Sequence, residues 1–144
     1  MSILRTIENK PGTVYDAANT KRLYAEDLQA LDTAILYKRG AVALTDGATP
    51  ALDASLGDVF TLSAEGNRTI AVPTNAVSGQ KIIIRHYANG AARTLALNTG
   101  AGGFRFGTDI TALTETASGK TDYIGCIYNS ADTKWDVVAY IKGF

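Results

Sequence analysis

From residue 119 onward, apolar residues recur with the period of a pleated strand on two successive arms. Tyr123, Gly125 and Ile127 alternate with Ile124, Cys126 and Tyr128; after a short polar break, Trp135, Val137, Ala139 and Ile141 alternate with Asp136, Val138, Tyr140 and Lys142. A period of two places alternate side chains on opposite faces, so this stretch predicts a long β-hairpin that closes a β domain. Shorter runs of the same kind occupy 41–45, 59–64, 68–72, 80–87, 93–98, 104–106 and 111–116. Asp46-Gly47, Glu65-Gly66-Asn67 and Asn89-Gly90 separate several of them with residues that accept tight-turn geometry. Two further hairpins follow from this reading, 59–64 with 68–72 and 80–87 with 93–98. The stretch 73–79 suits neither strand and reads as a crossover between sheets, and Gly100 to Gly103 reads as a turn. Strands at spacings of about ten residues with no intervening helix predict an all-β fold, either an antiparallel β-sandwich or a jelly-roll-like barrel.

The first forty residues follow a different rule. Over 1–20 the apolar residues Ile3, Leu4, Ile7, Val14 and Tyr15 keep neither a helical nor a strand period, which predicts an extended N-terminal arm. Over 23–37, Tyr24, Leu28, Leu31 and Ile35 are spaced four, three and four apart, the stripe of one short amphipathic α-helix. Glu26 and Asp27 suit the positive N-terminal end of such a helix, Lys38 and Arg39 its negative end, and Gly40 a stop. A helix of this length is marginal alone, so its stripe must be covered. A β domain of the same chain and the helices of symmetry mates are equally good covers at this spacing. The expected division is 1–40, arm and helix for attachment and oligomerisation, and 41–144, the β domain.

Composition narrows the chemistry. The chain has 144 residues, enough for one domain and one core. Its 14 basic and 14 acidic side chains cancel, so no single-sign field draws it to nucleic acid or to an anionic membrane. Residues 1–16 lack the basic start and continuous apolar run of a signal peptide, and no apolar stretch approaches the roughly 20 residues of a membrane span. The chain is expected to be soluble and to carry no visible export signal.

Candidate chemistry is sparse. With one histidine, His86, and one cysteine, Cys126, neither a histidine-rich metal site nor an internal disulfide can form. Both residues fall in strand centres, where ordinary packing is favoured over a nucleophilic dyad. No nucleophile elbow, phosphate-binding loop or dinucleotide fingerprint is present, and no cofactor is implied. Asp46, Asp53 and Asp58, and Asp132 and Asp136, match no calcium-loop spacing and read as turn acids. Arg68, Arg85, Arg93 and Arg105 fall in strands and would cap sheet faces or make intersubunit ion pairs. Trp135, Tyr128 and Tyr140 would form a sugar-stacking platform if they shared an outer face; core packing is the commoner use of such residues.

The run from Ala43 to Phe144, with ALTDGATPALDASLGDVFTL, NRTIAVPTNAVSGQKIIIR, FRFGTD, GKTDYIGCIYN and KWDVVAYIKGF, resembles the β-rich structural module of tailed-bacteriophage virion proteins. The resemblance covers about two-thirds of the chain, and TVYDAANTKRLYAEDLQALDTAIL stands where those proteins carry an attachment arm and a short helix. It implies a homotrimeric virion structural protein without catalytic residues, of capsid-decoration, head-fibre or tail-fibre type. The length and the lack of a long shaft favour a capsid decoration, with Ile3, Leu4, Ile7 and Tyr15 lying on major capsid protein or another virion protein. A glycan-binding appendage facing the host surface is the alternative, and a small hydrolase using His86 is a third reading.

Overall fold

The computed structural model describes residues 13–15, 22–24 and 40–144. The chain divides into two compact units, 1–37 and 38–144. In the first, β1 (Thr13–Tyr15) pairs antiparallel with β2 (Arg22–Tyr24), matching Thr13 with Tyr24 and Tyr15 with Arg22. Leu23 and Tyr24 therefore belong to a strand rather than to the first turn of the expected helix. The sequence permits this: Thr-Val-Tyr against Arg-Leu-Tyr pairs β-branched and aromatic residues across strands, whereas a short helix gains little at its end. Tyr15 of the expected arm is the last residue of β1. The rest of the helical stripe (Leu28, Leu31, Ile35) and of the arm (Ile3, Leu4, Ile7) lies outside the described residues.

The second unit is built of β3 (Ala41–Ala43), β4 (Val59–Ala64), β5 (Arg68–Ile70), β6 (Lys81–Ala88), β7 (Leu95–Leu97), β8 (Phe104–Arg105), β9 (Thr121–Asn129) and β10 (Lys134–Ile141). Among the described residues there is no helix, and the fold is all-β. Six strands form one sheet in the order β3-β4-β6-β9-β10-β8, while β5 and β7 form a second.

The terminal hairpin is present, but its second arm does not keep the expected alternation: after Val137 the faces reverse, so Tyr140 packs with Trp135 and Val137 against the core while Ala139 and Ile141 turn to the outer face. β9 and β10 pair antiparallel from Asn129 with Lys134 to Tyr123 with Ile141, with a bulge between Val137 and Ala139. The loop 130–133 is closed by Asn129, whose Oδ1 accepts from the Ala131 and Asp132 amides while its Nδ2 donates to Asp132 Oδ2.

The two inner hairpins do not form, and the sheet is mixed rather than antiparallel. β4 lies parallel to β6, β5 parallel to β7, β3 parallel to β4 and β8 parallel to β10; only β6–β9 and β9–β10 are antiparallel in this unit. The turns at 65–67 and 88–92 are real, with Gly90 at φ 74°, yet each turn carries the chain from the large sheet to the small one. The path β4-β5-β6-β7 is thus a two-turn coil, one long and one short strand per turn. A glycine turn between two strands reads the same whether the second strand folds back beside the first or turns a corner, and here burial chooses the corner. Ile70, Leu95 and Leu97 find cover on the core side that a flat hairpin would not supply.

That core runs between the inner face of the large sheet and the small sheet. Phe60, Leu62 and Ala64 of β4, Ile82 and Ile84 of β6, Ile124 and Cys126 of β9, and Trp135 and Val137 of β10 meet Ile70, Leu95 and Leu97, with Phe104 of β8 and Leu52 and Ala54 of the loop between β3 and β4. Burying each large apolar side chain contributes on the order of 1.5–3 kcal/mol, so the inner face is the main favourable contribution set against the entropy of ordering these strands.

Candidate functional site

Two features of the second unit combine chemistry with placement: a polar chain sealed in the core, and an apolar hollow on the outer face of the large sheet.

The sealed chain joins β6, the 111–120 loop, β9 and the C-terminal tail. His86 Nδ1 lies 2.9 Å from Thr116 Oγ1, which donates to Asp122 Oδ2 at 2.7 Å. Because the single hydroxyl proton goes to the carboxylate, the hydroxyl oxygen accepts from His86, which places the imidazole proton on Nδ1. Nε2 is then a bare acceptor, and among the described residues it has no partner. Asp122 also accepts from the Gly143 amide at 2.9 Å, and the Tyr140 hydroxyl stands 3.2 Å from it and 2.9 Å from the Thr114 carbonyl. His86, Thr116 and Asp122 are all buried. Burial holds the imidazole pKa below its ordinary value, against the raising influence of Asp122. A histidine, a hydroxyl and a carboxylate in series have the makings of a nucleophilic relay, but none reaches solvent, and a relay with no substrate access holds strands together.

Several other ionic groups serve the same end. Arg68 grips Asp46 with two parallel hydrogen bonds, Nε to Oδ1 at 2.6 Å and Nη2 to Oδ2 at 2.7 Å, tying β5 to the loop after β3. That grip, helped by the Glu65 amide, brings the Asp46 carboxyl down to about 2. Arg105 of β8 reaches Asp136 of β10 at 2.7 Å and Asp132 at 2.9 Å, locking the short parallel pair at the sheet edge, and Asp136 is held below its ordinary pKa chiefly by that guanidinium. Asp53 Oδ1 accepts from Asn75, the Ser55 hydroxyl and the Ser55 amide, which lower its pKa, Asn75 most. These acids are turn and strand fasteners, and among the described residues no three His, Cys, Asp or Glu side chains cluster in a way that could hold a metal ion. Cys126 is buried, and desolvation pushes its thiol up to about 12.

The three residues considered as a sugar platform do not share an outer face. Trp135 is 0 % exposed and sits in the core, with the Tyr128 ring 5.1 Å away across the strand pair. Tyr128 and Tyr140 are half-buried and packed against that core. Strict alternation puts Trp135 and Tyr140 on opposite faces, but the bulge after Val137 brings Tyr140 round to the core side that Trp135 occupies.

The outer face is the feature that the alternation alone did not expose. Reading across the registers, one row consists of Ala41, Val59, Ile83, Gly125 and Ala139, and the next of Ala43, Thr61, Arg85, Tyr123 and Ile141. The C-terminal tail returns along β9, exchanging backbone hydrogen bonds between Thr121 and Phe144, and sets the Phe144 ring edge-on against Tyr123 at 5.3 Å. Ile83, Tyr123, Gly125, Ala139, Ile141 and Phe144 thereby enclose an open hollow of about 360 Å³. Gly125 forms its floor; a Cβ there would stand 3.2 Å from that of Ala139, so any larger residue fills the hollow. The sequence signal was present in the runs Ile82-Ile83-Ile84 and Tyr123 to Tyr128, which are apolar on both faces instead of one.

No protein-family model matches the chain, and a search of the curated proteins finds no relative.

Proposed function

We propose that this chain is a structural protein of a tailed-bacteriophage virion, most specifically a homotrimeric capsid decoration protein that adheres through its N-terminal segment and stabilises the head. The two-layered β unit, read as a β-sandwich, serves as its projecting body. The observation that carries the reading is the use made of reactive groups: among the described residues, the histidine, the cysteine and Asp122 are sealed in the core, while Asp46, Asp53 and Asp136 are engaged in hydrogen bonds that fasten strands and loops. Such a domain offers surface and stiffness rather than turnover, and a decoration protein acts by those two properties. Binding at many copies would stabilise the shell by mass action. The wording of the β domain and its neutral charge support the same reading.

The test is co-sedimentation of the purified chain with undecorated phage heads, with and without residues 1–20. The full chain should co-sediment and raise the temperature of head disruption. The truncated chain should remain folded and stay in the supernatant; if it still binds, attachment runs through the β unit. A full chain that binds neither heads nor tails removes the reading. The tail-fibre or head-fibre alternative would require a glycan surface other than Trp135, which is enclosed.

A further inference from the structure

We propose that Asn89-Gly90 is a site of spontaneous deamidation in the folded protein, at which Asn89 is converted by its own chain to aspartate and isoaspartate with loss of ammonia. The reaction needs a following amide nitrogen that can reach the side-chain carbonyl carbon, and a side chain that is not held away from it. Glycine meets the first need best, because it has no Cβ to crowd the approach and its backbone is permissive. Asn89 is the one asparagine of the chain that precedes glycine. The structure meets the second need at the same residue. Asn67 and Asn98 accept amides on Oδ1 at 2.9 Å, from Thr94 and Gly100, while Asn75 Nδ2 donates to Asp53 at 2.9 Å and Asn129 is held at both ends of its side-chain amide. Asn89 has one long contact, Nδ2 to Glu65 Oε1 at 3.4 Å, and among the described residues its Oδ1 has no partner. Gly90 is exposed at φ 74°, its amide donates to no group among the described residues, and a Cβ there would meet nothing within 4 Å. The Ala91 amide donates to the Asn89 carbonyl at 2.9 Å, which makes the corner a γ-turn of the strained, positive-φ kind that gives up little when it opens. Asp46-Gly47 could close the same ring, but Arg68 grips both oxygens of that carboxylate and keeps it ionised, a poor electrophile.

The Gly90 nitrogen gives up its proton to solvent and attacks Asn89 Cγ; the Cγ–Nδ2 bond breaks, and that nitrogen leaves as ammonia with a proton from water. Water then opens the cyclic imide. Addition at Cγ breaks its bond to the Gly90 nitrogen and yields aspartate, whereas addition at the main-chain carbonyl carbon yields isoaspartate, with the chain now running through Cβ and Cγ. In both products a carboxylate replaces the donor that faces Glu65. In isoaspartate the carbonyl that accepted from Ala91 becomes a pendant carboxylate, and an extra methylene enters a corner whose Asn89 amide donates to the Ala64 carbonyl. The change falls where the chain passes from the large sheet to the small one, between β6 and β7. It is a one-way alteration of charge and backbone that accumulates with the age of the molecule, and it does not depend on the virion reading.

The experiment holds the full chain at pH 8 without denaturant and follows it by peptide mass mapping, with isoaspartate read by methyl transfer from a protein isoaspartyl methyltransferase. The mass gain of amide-to-acid exchange should appear in the peptide carrying 89–90 before it appears at Asn67, Asn75, Asn98 or Asn129, with isoaspartate in the same peptide, and it should be faster at higher pH. Its rate should lie within about tenfold of the rate in urea, since an exposed turn opens at little cost. Asn89→Gln should abolish the gain in that peptide. Asn89→Asp, which carries the new charge without the extra methylene, should melt above the aged, isoaspartate-rich chain. A peptide carrying 89–90 that reacts in urea but stays unchanged in the folded protein overturns the inference, and so does one that reacts no sooner than those of the other asparagines.

Discussion

His86 and Asp122 are cross-strand partners on β6 and β9, and the hydroxyl of Thr116 bridges their side chains, accepting from the imidazole and donating to the carboxylate. One atom therefore satisfies two buried polar groups on neighbouring strands. Thr116→Val keeps the shape and deletes that atom. It should cost about 1–3 kcal/mol, because the buried imidazole is left without its partner while Asp122 loses one hydrogen bond and keeps those from Gly143 and Tyr140, read as a lower midpoint in urea at unchanged slope. Thr116→Ser should recover most of it.

The same imidazole makes stability depend on pH. Its pKa is lowered in the folded protein by burial, so below the ordinary value of 6.5 the unfolded chain takes up a proton that the folded one resists. Stability should be full above about pH 7 and fall as the pH drops through 6.5 toward the lower folded value. Melting temperatures between pH 7.5 and 5 should decline, and the decline should flatten in His86→Gln. An unchanged slope in that variant would assign the loss to another group.

A second acid transition belongs to Asp46. Its carboxyl is held at about 2 by Arg68, so the stabilisation is present above the ordinary carboxylate pKa of 3.8 and is lost as pH falls from there toward 2. Arg68→Met should remove this step without altering the one near pH 6.5, which separates the two in a single titration.

Gly103 and Gly47 make a matched pair. A Cβ on Gly103 would collide with the backbone carbonyl of Asn98, whereas one on Gly47 meets nothing within 4 Å. Gly103→Ala should destabilise by roughly 2 kcal/mol or more, since backbone must move, and Gly47→Ala should be within about 0.5 kcal/mol of the unaltered chain. Thermal denaturation of the two side by side is the check.

Cys126 and Trp135 report the integrity of the core. With its thiol pushed up to about 12 and enclosed, Cys126 should resist iodoacetamide at pH 8 until the protein unfolds globally. Trp135 should emit at short wavelength, resist acrylamide quenching and remain unmoved by added sugars, because no part of it is exposed. A sugar-dependent change would mean that the core opens on binding.

The elements that alternation specifies strongly were legible in the sequence. The strands of the terminal hairpin, the inward Phe60 and Leu62, and the glycine turn at 100–103 stand where the pattern places them, while the bulge after Val137, which the pattern did not carry, reverses the faces of Ala139, Tyr140 and Ile141. Partners were less legible than strands. Nothing local to Val59–Ala64 says that its neighbour is Lys81–Ala88, a full turn of the coil away, instead of the closer Arg68–Ile70, because pairing is decided by which arrangement buries Ile70 and Leu95 together. The Thr116 bridge was illegible for a similar reason: Thr116 lies 30 residues from His86, in a segment with no strand of its own apart from a single bridge to Arg93. Leu23 and Tyr24 fit a helical stripe and a strand equally well, and a pairing partner at Thr13–Tyr15 chose the strand.

The coiled path of β4 to β7 carries a consequence for how such a domain could vary. Each turn adds one long strand and one short one in the same direction and sets them on the turn before. Inserting another whole turn would lengthen the body by one strand spacing, about 4.8 Å, and leave the antiparallel closing hairpin unchanged. A gene could therefore adjust the height of this protein in fixed steps, by duplicating a segment of about two dozen residues.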